Sequence, residues 1–197
     1  MSTVIDTAST RDAWEIESDF VREILSPYKD HATYLRSAFI TDGPAQGTLA
    51  PRRDAAKKSL MTAFGEFAIP ESCYIDDTGH FNAVEFNICY NQIAYVLFAE
   101  CFRKRLLHRL APSLADKLSM DYDGYRHHQL SSMFIVKYQS KFKQPIDSDL
   151  FHGELSVQRV SSMADTFFAH THIAFSDAGG GYADGSVLLA FSATAAH

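Results

Sequence analysis

The sequence predicts an α+β domain in which an antiparallel sheet packs on one long buried helix. Three observations predict it. Residues 83–99 are apolar on nearly every side, with Val84, Phe86, Ile88, Ile93, Val96, Leu97 and Phe98 among them, and a helix apolar all round has to be buried all round. Beyond Gly124, four segments (134–142, 152–160, 164–175 and 185–194) read as strands, the first and third with clean two-residue apolar alternation. Their connections are short: Lys143-Gln144-Pro145-Ile146-Asp147 is a turn and Asp177-Ala178-Gly179-Gly180-Gly181 a hairpin loop, and short connections favour antiparallel neighbours.

The other elements follow in order. Residues 11–25 read as an amphipathic helix, with Trp14, Phe20, Val21, Ile24 and Leu25 mostly on one side. Ser26-Pro27 ends it, because the residue before proline avoids the helical region. Residues 41–57 are rich in Gly, Pro and Ala without any period, and read as a flexible loop. Residues 59–69 form a strand with Met61, Ala63, Phe67 and Ile69 on one face and Gly65 at a bend. Asn82 followed by Glu85 three residues later is a capping box at the start of the long helix. That helix can run on to Arg109, and 112–120 is helical or irregular. In the first strand after Gly124, Phe134, Val136, Tyr138 and Phe142 alternate with Lys137, Gln139 and Lys141. A sheet wrapped round a single central helix is the hotdog architecture.

Bulk properties bound the function. A chain of 197 residues suits one domain spanning 1–197 with a sizeable core. Eighteen Lys and Arg against 24 Asp and Glu give a net charge of −6 with no basic tail, so no nucleic acid partner is expected. Met1–Thr10 shows neither a basic nor an apolar targeting segment. Glu85, Asn87, Asn91 and Gln92 interrupt the most apolar run, which is too short and too polar for a membrane span. Cys73, Cys89 and Cys101 lack metal or disulfide spacing, which points to a reducing, cytoplasmic setting.

Chemistry concentrates in the loop Tyr74–Asn82, which leads directly into the core helix. A helix N-terminus offers unpaired N–H groups and partial positive charge, a good receptor for a carboxylate or developing oxyanion. His80 is the candidate catalytic residue, since an imidazole titrating near ~6.5 takes and returns a proton at neutral pH. Asp77, Thr78, Gly79 and Asn82 are candidate substrate-binding loop residues, with Gly79 allowing close backbone approach. Tyr28 and Tyr74 are candidate O–H donors, although half-buried structural tyrosines are common. Glu85, the nearby carboxylate, is explained by capping alone. His170 and His172 share a strand face without an evident third ligand, so no metal is expected. Asn87 and Asn91 read as structural or interfacial, and His127, His128 and Gln129 carry no assigned role. Arg103, Lys104, Arg105 and Arg109 form a basic patch suited to an acidic carrier protein or a coenzyme A phosphate, or equally to a solvated helix end.

Four blocks carry a family likeness: Tyr74-Ile75, Thr78-Gly79-His80-Phe81-Asn82-Ala83-Val84-Glu85, Asn91-Gln92-Ile93-Ala94-Tyr95 and His128-Gln129-Leu130-Ser131-Ser132-Met133. Together they resemble the FcoT-type acyl thioesterases across about residues 15–195. The resemblance implies a hotdog fold acting on acyl chains held as coenzyme A or carrier-protein thioesters, without a cofactor. Some members of that family add glycine to the β-carbon of a 2-enoyl thioester, and some then hydrolyse the thioester. It further implies a homodimer with the site at the interface, residues matching Tyr28, Tyr74, His80 and Asn82 around the reacting group, and no catalytic carboxylate. Two other functions stand beside this one: a plain long-chain acyl thioesterase, and a catalytically silent acyl-binding dimer.

Overall fold

The structure, a computed structural model, describes residues 13–43, 59–76, 79–106, 121–163 and 166–192. Among them the strands are β1 (Ala13–Glu15), β2 (Leu35–Asp42), β3 (Met61–Phe67), β4 (Met133–Gln144), β5 (Phe151–Met163), β6 (Thr166–Ser176) and β7 (Tyr182–Ser192). The helices are α1 (Ser18–Leu25), α2 (Ala83–Arg103) and α3 (Tyr122–Ser132), with one 3-10 turn at Asp30–Ala32. The strands form one sheet in the order β1-β2-β3-β5-β6-β7-β4, antiparallel at every pairing. α2 lies along its inner face, which is the expected hotdog arrangement. The loop expected at 41–57 falls largely outside the described residues, and β2 takes its first two.

α2 is 21 residues long, about 30 Å. Its middle buries Cys89, Tyr90, Ile93, Ala94, Val96, Leu97 and Phe98. Phe86, one turn in, presses on the sheet at Gly185. A Cβ there would lie 2.9 Å from the Phe86 ring and 2.6 Å from the Gln139 carbonyl oxygen, so glycine alone admits the ring. Around Phe86 gather Phe81, Phe142 and Phe175, with ring centroids 5.9, 5.6 and 4.9 Å away. This aromatic block fastens the helix's N-terminal end to the sheet.

β2 is a strand that the sequence reading does not assign, and three further features depart from expectation. Trp14 belongs to a strand, not to the first helix: it pairs with Ile40, and its Nε1 donates to buried Glu100 Oε1 at 3.0 Å. The helical period begins only at Ser18. Residues 122–132, where the sequence reading places no helix and turns strand-like after Gly124, form α3. Asp121 caps it by accepting from Gly124 N at 2.8 Å. Its buried contacts are few: Tyr125 OH donates to Tyr95 O at 3.0 Å and Gln129 Nε2 to Ile24 O at 3.0 Å. Two anchors four residues apart leave almost no apolar period to read.

The third departure lies in β4, where Ile135 faces Leu189 and Lys137 faces Leu188, so Val136 is an extra residue. A bulge of this kind swaps which face each later residue takes. Tyr138, Ser140 and Phe142 therefore lie on the inner face opposite Val187, Gly185 and Ala183. Phe134 and Val136, expected to share that face, are about half exposed.

Candidate functional site

The segment between β3 and α2 is tied at several points. Tyr34 is fully buried, and its OH accepts from Cys73 N at 2.9 Å and donates to Glu71 O at 3.3 Å. Gln92, buried in mid-helix, holds the chain where it passes from Tyr34 into β2: its Oε1 accepts from Tyr34 N and Leu35 N, both at 2.9 Å, and its Nε2 donates to Ala32 O at 2.6 Å. At the far end the capping box closes as expected. Asn82 Oδ1 accepts from Val84 N at 2.9 Å and Glu85 N at 3.3 Å, and Glu85 Oε2 accepts from Asn82 N at 3.2 Å. Gly79 has φ +68° with nothing near a built Cβ. Its backbone requires glycine, and space does not.

Where this loop meets α2 there is an open cleft of about 370 Å³. His80, Asn82 and Ala83 form one wall, Phe142, Lys143, Gln144 and Pro145 the other, and Phe81 contributes between them. His80 is exposed at the cleft, with Ala83 at the first turn of α2 beside it. A proton carrier thus sits next to the positive end of a helix dipole, in a cleft that Phe81 and Phe142 help to line.

The structure brings together His80 and Asn82. Tyr74 is 51% exposed in the same loop and does not line the cleft. Tyr28 packs at 6.3 Å against Tyr95, about 20 Å along α2 from Asn82. Burial, with help from Tyr95 and Cys89, raises its hydroxyl pKa, so it stays a neutral donor. Asp77 and Thr78 lie outside the described residues.

The remaining candidates have other surroundings. His170 Nε2 lies 2.7 Å from Arg159 Nη2, and burial plus that guanidinium lowers its pKa. His172 is lowered mainly by burial. Among the described residues no group of three or more His, Cys, Asp or Glu is placed to hold a metal. His127 is exposed, and nothing is described of the His128 side chain.

Half of the basic patch is structural. Arg103 Nε contacts Glu100 Oε2 at 2.6 Å and Lys104 Nζ contacts Glu100 Oε1 at 3.2 Å. The same cations lie 4.4 Å over the Phe20 and Trp14 rings respectively. Burial favours the protonated Glu100 carboxyl, but the hydrogen bonds from Arg103 and Lys104 outweigh it and hold the pKa down. The patch is also at the opposite end of α2 from the cleft, and Arg109 lies outside the described residues. Sequence reasoning missed Lys143, Gln144 and Pro145 as cleft wall and Tyr34 with Gln92 as loop anchors. Each lies far along the chain from the loop it meets, and no local pattern marks such a meeting.

Comparison with known proteins identifies the family. The FcoT-like thioesterase domain matches residues 23–191. A protein of Streptomyces coeruleorubidus named (2E)-enoyl-[ACP] glycyltransferase is 38% identical over 174 residues, covering 86% of this chain and 93% of that one. One of the same name from Mycobacterium marinum is 33% identical over 178 residues, covering 89% and 86%. Among solved structures, Cj0977 of Campylobacter jejuni, a sigma28-regulated virulence protein, aligns at 8% identity over 68% of this chain and 80% of its own, with a TM-score of 0.39. On the extent of the domain match and the identity to these relatives, the chain belongs to the FcoT-like thioesterase family.

Proposed function

We propose that this enzyme adds glycine across the double bond of a 2-enoyl thioester on acyl carrier protein, with His80 as general base, and then hydrolyses the thioester. The observation that carries the reading is His80 beside Asn82 in an open cleft that Phe81 and Phe142 help to line, at the N-terminus of α2. The relatives' names support the substrate and the amine. His80 removes a proton from glycine's ammonium, the freed amine forms a C–N bond at the β-carbon, and the π electrons move toward the thioester carbonyl. The helix terminus and the Asn82 amide stabilise that enolate. The imidazolium returns its proton to the α-carbon, leaving neutral histidine. In the second step the same base activates water against the carbonyl, the C–S bond breaks and the carrier thiol leaves protonated.

Tyr28, Tyr74, Asp77, Thr78, Gly79 and Asn82 are assigned to substrate binding. Since Tyr28 lies well away from the cleft within one chain, we assign the complete site to a homodimer, where a second copy supplies what one chain lacks. The long exposed edge of β4, with apolar Phe134 and Val136, supports such a partner. Among the described residues no helix is long and apolar enough to cross a membrane, and three free cysteines support a reducing cytoplasmic location.

The test is mass spectrometry of products from a short enoyl-carrier thioester, with and without glycine. A product heavier by one glycine, lost in His80→Ala, is expected. Free enoic acid whether or not glycine is present would favour a plain thioesterase. Absence of turnover in both the wild type and His80→Ala would favour a silent acyl-binding dimer.

A further inference from the structure

We infer that Asp177, in the β6–β7 hairpin, is a positioning residue for the His80 loop, acting through the connection between β4 and β5. This inference rests on the catalytic role proposed for His80. The loop from β3 to α2 is bracketed at both ends by that one connection. At its start Ile69 N donates to Ser148 O at 2.9 Å, and at its end Phe81 N, next to His80, donates to Ile146 O at 3.2 Å. Pro145, one residue earlier, is part of the cleft wall. The 145–148 connection is therefore a template against which the catalytic loop is laid.

Asp177 sets that template. Its Oδ2 accepts from Asp147 N at 2.6 Å, and its Oδ1 accepts from Gly181 N at 2.8 Å. One carboxylate thus ties the β4–β5 connection to the hairpin's own turn. Asp177 N donates to Gly181 O at 3.3 Å, and Gly180 turns the chain with φ +93°. Gly181 makes the approach possible. A Cβ there would meet the Pro145 carbonyl oxygen and the Asp177 carboxylate, and would lie 2.7 Å from Ile146 Cα. Two features therefore act on one contact: a carboxylate that pulls 145–147 in and a missing side chain that lets it come. Ile146 is buried beneath them, so a shift in its backbone is passed to Phe81 and His80.

The experiment compares Asp177→Ala, Asp177→Asn and Gly181→Ala with the wild-type enzyme in glycine addition, and follows the His80 ring by ¹H–¹³C NMR. Asp177→Ala and Gly181→Ala should each lower kcat about tenfold or more, the scale on which small misplacements act, and should move the His80 ring resonances. Asp177→Asn keeps one acceptor and should fall between them and the wild type. If Asp177→Ala does not fold, the other two variants decide. A kcat within twofold of wild type, or unmoved His80 resonances in a variant that merely melts earlier, would reduce Asp177 to a hairpin clasp and overturn the inference. Wild-type activity that survives His80→Ala would instead overturn the catalytic role of His80 itself.

Discussion

The residues that shape the candidate site are mostly not those proposed to react. Asn82, Tyr34, Gln92 and Asp177 each satisfy two or three backbone groups at chain reversals, and together they confine a loop whose own composition favours no regular structure. Asp177 also has a signature in pH. The N–H of Asp147, joined by those of Gly181, Gly179 and Gly180, outweighs desolvation and lowers its pKa from 3.8. A carboxylate depressed in the folded state stabilises above its unfolded pKa, and that contribution is lost as pH falls through the folded one. The melting-temperature gap between wild type and Asp177→Asn should hold steady near neutral pH and close below about pH 4. A gap that stays constant down to the acid transition would show that Asp177's charge contributes nothing to stability.

At the scale of elements, α2 is fixed differently at its two ends. The N-terminal end is held by the aromatic block around Phe86, which carries no charge and leaves the cleft open. The C-terminal end is held by Glu100, fully buried beneath Arg103, Lys104 and the Trp14 indole. Replacing Glu100 with Gln removes the charge that two cations face and weakens four contacts, two from Arg103 and one each from Lys104 and Trp14. Breaking a buried pair costs ~3–5 kcal/mol, and because both cations reach solvent the loss here should be smaller, about 1–3 kcal/mol. Denaturant unfolding measures it, and glycine addition at low temperature should be unaffected. A strong activity loss without destabilisation would return the patch to the substrate side.

At the scale of the whole molecule the exposed edge at β4 matters most. This strand closes one edge of the sheet over 12 residues, with Phe134 and Val136 about half exposed; among the described residues no strand pairs with its outer side, and a long edge of this kind invites another strand. Lysines at 137, 141 and 143 discourage indiscriminate pairing while leaving room for a matched partner. On the homodimer proposed above, Val136→Lys should give a monomer in light scattering where the wild type gives a dimer, and should lower activity in parallel. A variant that is fully dimeric and active would place the interface elsewhere.

Much of this was legible in the residues. The buried helix shows because α2 is apolar all round, the capping box because Asn82 and Glu85 stand three apart, and β6 because Phe167, Ala169, Thr171, Ile173 and Phe175 alternate without a break. These are short-range periodicities, and the sequence by itself determined them, along with His80 as the proton carrier to test. The strand at Trp14, the bulge at Val136 and the bracketing of the loop by 145–148 were decided only by the tertiary structure. Each depends on a partner far away in the chain: Ile40 and Glu100 for Trp14, Leu188 and Leu189 for the bulge, Asp177 for the bracket. A hydrogen bond between such distant residues leaves no period in the sequence, so the cleft's second wall became visible only once the sheet had closed around the helix.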